Sequence, residues 1–215
     1  ADALGRILGE APRLSVAGRT DAGVHAEGQV VSFETDAEPP PLQRALNAML
    51  GPEVAVREAR AMPQGFDARH SATAREYRYR MRTDEVPDPF SARYEWHRPG
   101  SYDQSAMRRA ARHLVGERDF ASFCRPPKDG GSTVRRLERL TVRRVGERLE
   151  IGARANAFLH QMVRSLVGTL VAVGDGRIDP DAMPDVLAAR DRAAAGRVAP
   201  PHGLVLVRVL YGGPK

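Results

Sequence analysis

The stretch "TAREYRYRMRT", residues 73–83, sets Tyr77, Tyr79 and Met81 at alternate positions and Arg78, Arg80 and Arg82 between them. A repeat of two belongs to a strand, because successive side chains leave a pleated backbone on opposite faces. One strand with an aromatic face and a cationic face commits the chain to a sheet. Two further segments alternate in the same way, around Val134 to Val145 and Leu149 to Ala155, and "GLVLVRVL" reads as a final strand.

Helical spacing separates these strands. The opening "ADALGRILGE" places Leu4, Ile7 and Leu8 on one side. "PPPLQRALNAML" opens on prolines and repeats Leu42, Ala45, Leu46, Met49 and Leu50. "DQSAMRRAARHLVG" is expected to be capped by Asp103 and ended by Gly116, and a long apolar helix is expected from about Ala157 to Val173, stopped by "GDG". A short helix over "PDAMPDVLAAR" follows, and "EVAVREA", residues 53–59, reads as another strand. Helices and strands mix without strict alternation, so the expected class is α+β, with two subdomains of largely antiparallel mixed sheet flanked by helices. Composition shifts near residues 72 to 82. The division is therefore placed after residue 72: an N-terminal α+β subdomain, 1–72, carrying the loop discussed next, and a C-terminal α+β subdomain, 73–215, completing its cleft.

That loop is "AGRTDAGVHA", residues 17–26, between the strand-like runs "RLSV" and "GQVVSFE". Gly18 and Gly23 permit tight turns. Asp21 is the leading candidate for chemistry, since an ionised and oriented carboxylate serves as nucleophile or base. Arg19 stands two residues away, where a paired guanidinium would hold the carboxylate ionised. His25 and His160 invite a metal reading, but no carboxylate or thiol stands at ligand spacing from either, and a structural role is expected for both. Asn156, His160 and Arg164 are spaced by four, as a row along one side of the long helix. The row is expected to begin at the helix N-terminus, where free N–H groups suit an anion. Tyr77 and Tyr79 fit either sheet packing or stacking on an unstacked base. No G-x-S-x-G, Walker or G-x-G-x-x-G pattern occurs, which removes the physical parts of the corresponding hydrolases, NTPases and dinucleotide enzymes.

Charge narrows the partner. With 33 Lys+Arg against 27 Asp+Glu, the chain of 215 residues carries a formal +6 and favours polyanions or acidic membrane surfaces. Lys128 and Lys215 are its two lysines; the remaining cations are arginines, which grip phosphate bidentately and stack on bases. Cys124 is the single cysteine, so no intramolecular disulfide or thiolate cluster forms, and a cytoplasmic setting is expected. No apolar run approaches the roughly 20 residues of a transmembrane helix.

Taken in order, "GRTDAGVHAEGQVVSFET", "FDARHSATAREYRYRM", "GERDFASF", "ANAFLHQMVRSLVGTLVAVG", "ARDRAAAG" and "APPHGLVLVRVLY" resemble the tRNA pseudouridine synthase A family over almost the whole chain. The resemblance implies a pseudouridine synthase fold and isomerisation of uridine to pseudouridine in the anticodon stem-loop of tRNA, without cofactor or metal. It implies a homodimer in which one tRNA touches both subunits, in the cytoplasm and away from the membrane. Asp21 matches the catalytic aspartate, Tyr77 the tyrosine that stacks on the target base, Arg164 the basic partner of the aspartate, and Arg19 an arginine contacting the flipped nucleotide or RNA backbone. The family's opening strand, with its Y-D-G and G-W-Q elements, has no counterpart, since residue 1 corresponds to the helix that follows it. Val205 stands where the family often has tyrosine or phenylalanine. Two other readings stay open: an RNA-binding protein without chemistry, and a carboxylate-dependent glycoside or nucleoside hydrolase. The hydrolase would need a second acid, for which Glu27 is nearest.

Overall fold

The computed structural model describes residues 1–127 and 130–212, so Lys128 and Lys215 lie outside the described residues. In chain order the elements are α1 (Asp2–Leu8), β1 (Ser15–Val16), β2 (His25–Ala26), β3 (Val31–Ser32), α2 (Pro39–Leu50), β4 (Ala72–Arg82), β5 (Trp96–His97), α3 (Gln104–Leu114), β6 (Gly116–Asp119), β7 (Val134–Val145), β8 (Arg148–Ala155), α4 (Met162–Gly174), α5 (Met183–Ala189) and β9 (Leu204–Tyr211). The class is α+β. Two compact units are present, one made of residues 1–18 and 30–72, the other of residues 19–29 and 73–215. The Asp21 loop thus sits with the second unit, not with the segments that flank it in sequence.

In the first unit, Leu4, Leu42 and Leu46 form a small core between α1 and α2, joined by Ile7, Leu14, Phe33 and Val56. β1 pairs antiparallel with β3, Ser15 opposite Ser32. The alternating "EVAVREA" is not a strand. Its backbone is satisfied by α2 side chains instead: Asn47 Oδ1 accepts from Val56 N at 2.7 Å, and Asn47 and Gln43 amides donate to the Val56 carbonyl. At Val56, the centre of the segment, both backbone groups are thus taken and neither is left for a ladder.

The second unit is built on a seven-stranded sheet ordered β2-β9-β4-β8-β7-β6, with β5 also beside β4. The β4–β8, β8–β7 and β7–β6 pairs are antiparallel, while β2–β9 and β4–β5 are parallel. On β4 the predicted alternation holds: Tyr77, Tyr79 and Met81 face the core opposite Ala153, Ile151 and Leu149 of β8. The cationic face departs from expectation, because carboxylates occupy its guanidiniums. Arg78 meets Glu27 at 2.5 Å, Arg80 meets Glu150 at 3.6 Å, and Arg82 reaches Glu95, Asp84 and Asp88. Nearby, Arg208 donates to Glu76 at 2.6 Å and holds that carboxyl below the usual range.

α3 and α4 cover the apolar face of the sheet. Asp103 Oδ1 caps α3, accepting from the amides of Ser105 and Ala106. α4 is buried all round, and Arg164 is its one residue that is not. It starts at Met162, five residues later than the periodicity suggests, because Gln161 adopts φ 63° and turns the chain. Asn156 therefore lies off the helix, its Oδ1 accepting from the amides of Arg136 and Ala157. Asn156, His160 and Arg164 do not form a helical row.

Candidate active site

The candidate site is assembled within the second unit, from the 19–29 loop, the turn before α4, the first turn of α4, β4 and the segment before β9. The loop makes its tight turn at Gly23, which takes φ 83°, and the Val24 amide donates to the Asp21 carbonyl at 3.0 Å. This left-handed conformation favours a residue without Cβ. β2 then fastens the loop to β9, His25 opposite Val205 and Ala26 opposite Leu206, and the Glu27 amide donates to the Leu206 carbonyl.

Asp21 projects from this anchored loop onto a guanidinium and an imidazole. Arg164 Nη1 donates to its Oδ2 at 2.7 Å, and His160 Nε2 lies 3.2 Å from its Oδ1. The Asp21 and Arg164 side chains are 21% and 13% exposed, while His160 is half-exposed at 50%. A charge-assisted bond between partly desolvated groups is among the stronger polar contacts a protein makes. Arg164 is itself aimed from behind: its Nε donates to the Ala199 carbonyl at 2.7 Å, and the Ala199 amide donates back to the Arg164 carbonyl. The adjacent Pro200 carbonyl accepts from the Tyr79 hydroxyl at 2.9 Å. A Cβ placed on Gly168 would stand 1.6 Å from the Arg197 carbonyl oxygen, so the segment that grips Arg164 lies directly on the α4 backbone.

Tyr77 is buried, with 8% of its surface exposed, and Phe158 meets its ring edge-on at 5.1 Å. Burial pushes its hydroxyl up to about 12, and the negative charge of Asp21 acts in the same direction. The phenol is thus neutral throughout the physiological range.

The structure brings Asp21, Arg164 and Tyr77 into one neighbourhood and leaves Arg19 outside the ion pair. Arg19 is exposed, and among the described residues it forms no salt bridge with Asp21. Gly18 does not take the left-handed turn that Gly23 does. Glu27, the acid the hydrolase reading requires, is committed to Arg78. His25 serves a neighbouring loop, its Nε2 donating to the Arg93 carbonyl at 2.8 Å while its ring lies 4.7 Å from that of Tyr94. His160, read from the sequence as structural, is the residue whose place in the site went unforeseen. Its spacing of four from Arg164 was a signal, but an assumed helix hid the turn that presents it. Among the described residues, no group of three or more His, Cys, Asp or Glu side chains is placed to hold a metal ion.

A guanidinium-braced aspartate on a loop against a mostly antiparallel α+β sheet defines a class that comparison with known proteins makes explicit. A family model described as tRNA pseudouridine synthase matches residues 110–212. The tRNA pseudouridine synthase A of Moorella thermoacetica is 46% identical over 219 residues, covering 98% of this chain and 87% of that protein. Those of Geotalea daltonii and Bacillus subtilis are 40% and 42% identical, covering 87% and 79% of their lengths. The chain belongs to the tRNA pseudouridine synthase A family.

Proposed function

We propose that this tRNA pseudouridine synthase isomerises uridine in the anticodon arm, with Asp21 as its catalytic carboxylate. The observation that carries the assignment is the Asp21–Arg164 pair, 2.7 Å long and built from two segments that only the fold joins. The reaction breaks the glycosidic C–N bond, turns the uracil while it is held, and forms a C–C bond from C5 to the same sugar. A carboxylate does this by adding to C6 of the base or by assisting a glycal intermediate at the sugar. In both it must be held in a fixed orientation, which the Arg164 hydrogen bond provides.

Tyr77 is assigned to stacking on the target base and Arg19, exposed at the loop, to the flipped nucleotide or the RNA backbone. Leaving a helical stack costs a few kcal/mol, which stacking on an aromatic ring offsets. The enzyme works as a homodimer without metal or cofactor, one tRNA touching both subunits, in the cytoplasm. Among the described residues no helix is long and apolar enough to cross a membrane.

Replacing Asp21 tests the assignment against a protein that binds RNA without chemistry. Asp21→Ala is expected to lower pseudouridine formation in a tRNA transcript by about a thousandfold or more while tRNA binding survives. Mapping the modified positions with the purified protein alone reads out reaction, substrate and cofactor independence together. Wild-type turnover in Asp21→Ala removes Asp21 from the mechanism, and free uracil as product transfers the enzyme to the hydrolases.

A further inference from the structure

His160 has a conformation that the rest of the chain works to maintain. Its carbonyl accepts from the Arg125 amide at 3.1 Å, and Gln161, directly after it, is held at φ 63°. A non-glycine residue in the left-handed region costs energy and persists where the surroundings over-determine it, often at functional sites. The result is an imidazole whose Nε2 lies 3.2 Å from Asp21 Oδ1 and whose side chain is half-exposed. Among the described residues its Nδ1 has no protein partner.

Isomerisation contains a proton transfer that the Asp21–Arg164 pair does not by itself accomplish. Once the C5–C1′ bond has formed, C5 still carries its hydrogen, and N1 has lost its bond to the sugar. The hydrogen must leave C5 and a proton must reach N1. Arg164 is a permanent cation and cannot accept it. Tyr77 is kept neutral by burial and is no acceptor until it ionises.

We propose that His160 is the acceptor of the C5 proton. The C5–H bond breaks and the proton passes to Nδ1; its electron pair restores the C5–C6 double bond while C6 releases a pair, either from its bond to the Asp21 oxygen, back to the carboxylate, or from its π bond to N1, onto N1. Nε2–H faces Asp21, whose carboxylate is restored by the end of this step and stabilises the imidazolium. One proton is returned to N1, so base and protein finish with the protons they began with. An aspartate that orients an imidazole through one nitrogen while the other takes a proton is a recurrent arrangement in general-base catalysis. The assignment rests on Asp21 being the catalytic carboxylate.

The test uses a tRNA transcript carrying deuterium at C5 of its uridines, turned over once by excess protein. In His160→Gln, product formation is expected to fall about 10²- to 10⁴-fold. Deuterium should slow that variant further while leaving the wild-type rate nearly unchanged. Retained tRNA affinity and an unchanged melting temperature keep the comparison free of misfolding. A variant as fast as wild type, a loss with no larger isotope effect, or complete absence of product despite intact binding each overturns the proposal. Asp21→Ala, run in parallel, separates the two claims. If it stays active the catalytic assignment falls, whereas if it is dead and His160→Gln shows no isotope effect only the proton acceptor falls.

Discussion

Tyr77 packs in the core beside Phe158, and the stacking role proposed for it predicts different responses to two substitutions. Phenylalanine keeps the ring plane and the edge-on contact with Phe158, so Tyr77→Phe is expected to retain most activity. Tyr77→Ala removes a stacking surface worth about 1 to 3 kcal/mol, roughly a 5- to 150-fold loss, which initial rates on a tRNA transcript measure. Equal defects would move the role to the hydroxyl. The hydroxyl has its own signature at high pH. Its folded-state pKa of about 12 stands above the ordinary 10, so the stability it contributes is complete below pH 10 and is lost as pH rises toward 12. Tyr77→Phe should therefore flatten the alkaline limb of unfolding followed by circular dichroism. The Asp21–Arg164 pair that the resemblance implies is present, whereas the Arg19–Asp21 pair that closeness in sequence suggests does not form among the described residues. Asp21 has its partners at residues 160 and 164, and distance along the chain says nothing about that.

At the scale of elements, legibility followed self-sufficiency. α2 and β7 are readable to the residue because each carries its own period: prolines and leucines recurring at helical spacing in one, and in the other an alternation broken only by the register shift between Leu137 and Arg139. "EVAVREA" alternates equally well but has no ladder to join, since α2 takes its backbone groups. The start of α4 was misplaced because the apolar pattern runs on through Phe158 and Leu159 while Gln161 turns the backbone. The same helix yields a prediction. The Gly168 position is pressed against the Arg197 carbonyl, and both partners are backbone, so neither can swing away. Gly168→Ala is expected to cost about 1 to 3 kcal/mol or more by overpacking. It should also shift Ala199, loosening the grip on Arg164, so that activity falls further than the change in melting temperature alone accounts for. A variant that melts lower but keeps full turnover would show that Arg164 does not depend on this crossing.

For the whole molecule, the formal +6 is already the balance of bases over acids, and several of those acids sit on sheet arginines, among them Arg78, Arg80, Arg82 and Arg208. Binding should nonetheless weaken as salt rises, since each phosphate contact releases counterions and the slope of log affinity against log salt is about −0.7 to −0.9 per contact. A slope near zero across a titration of tRNA binding would contradict a phosphate-reading surface. The parallel pairing of β2 with β9 has a further meaning for how the protein is made. Asp21, Tyr77, His160 and Arg164 all emerge from the ribosome before the strand that fastens the Asp21 loop and before the Ala199 carbonyl that holds Arg164. A chain stopped at residue 190 holds all four side chains of the candidate site but lacks both fastenings. Assembly of that site therefore waits until residues 199–206 have been made, however early its side chains emerge.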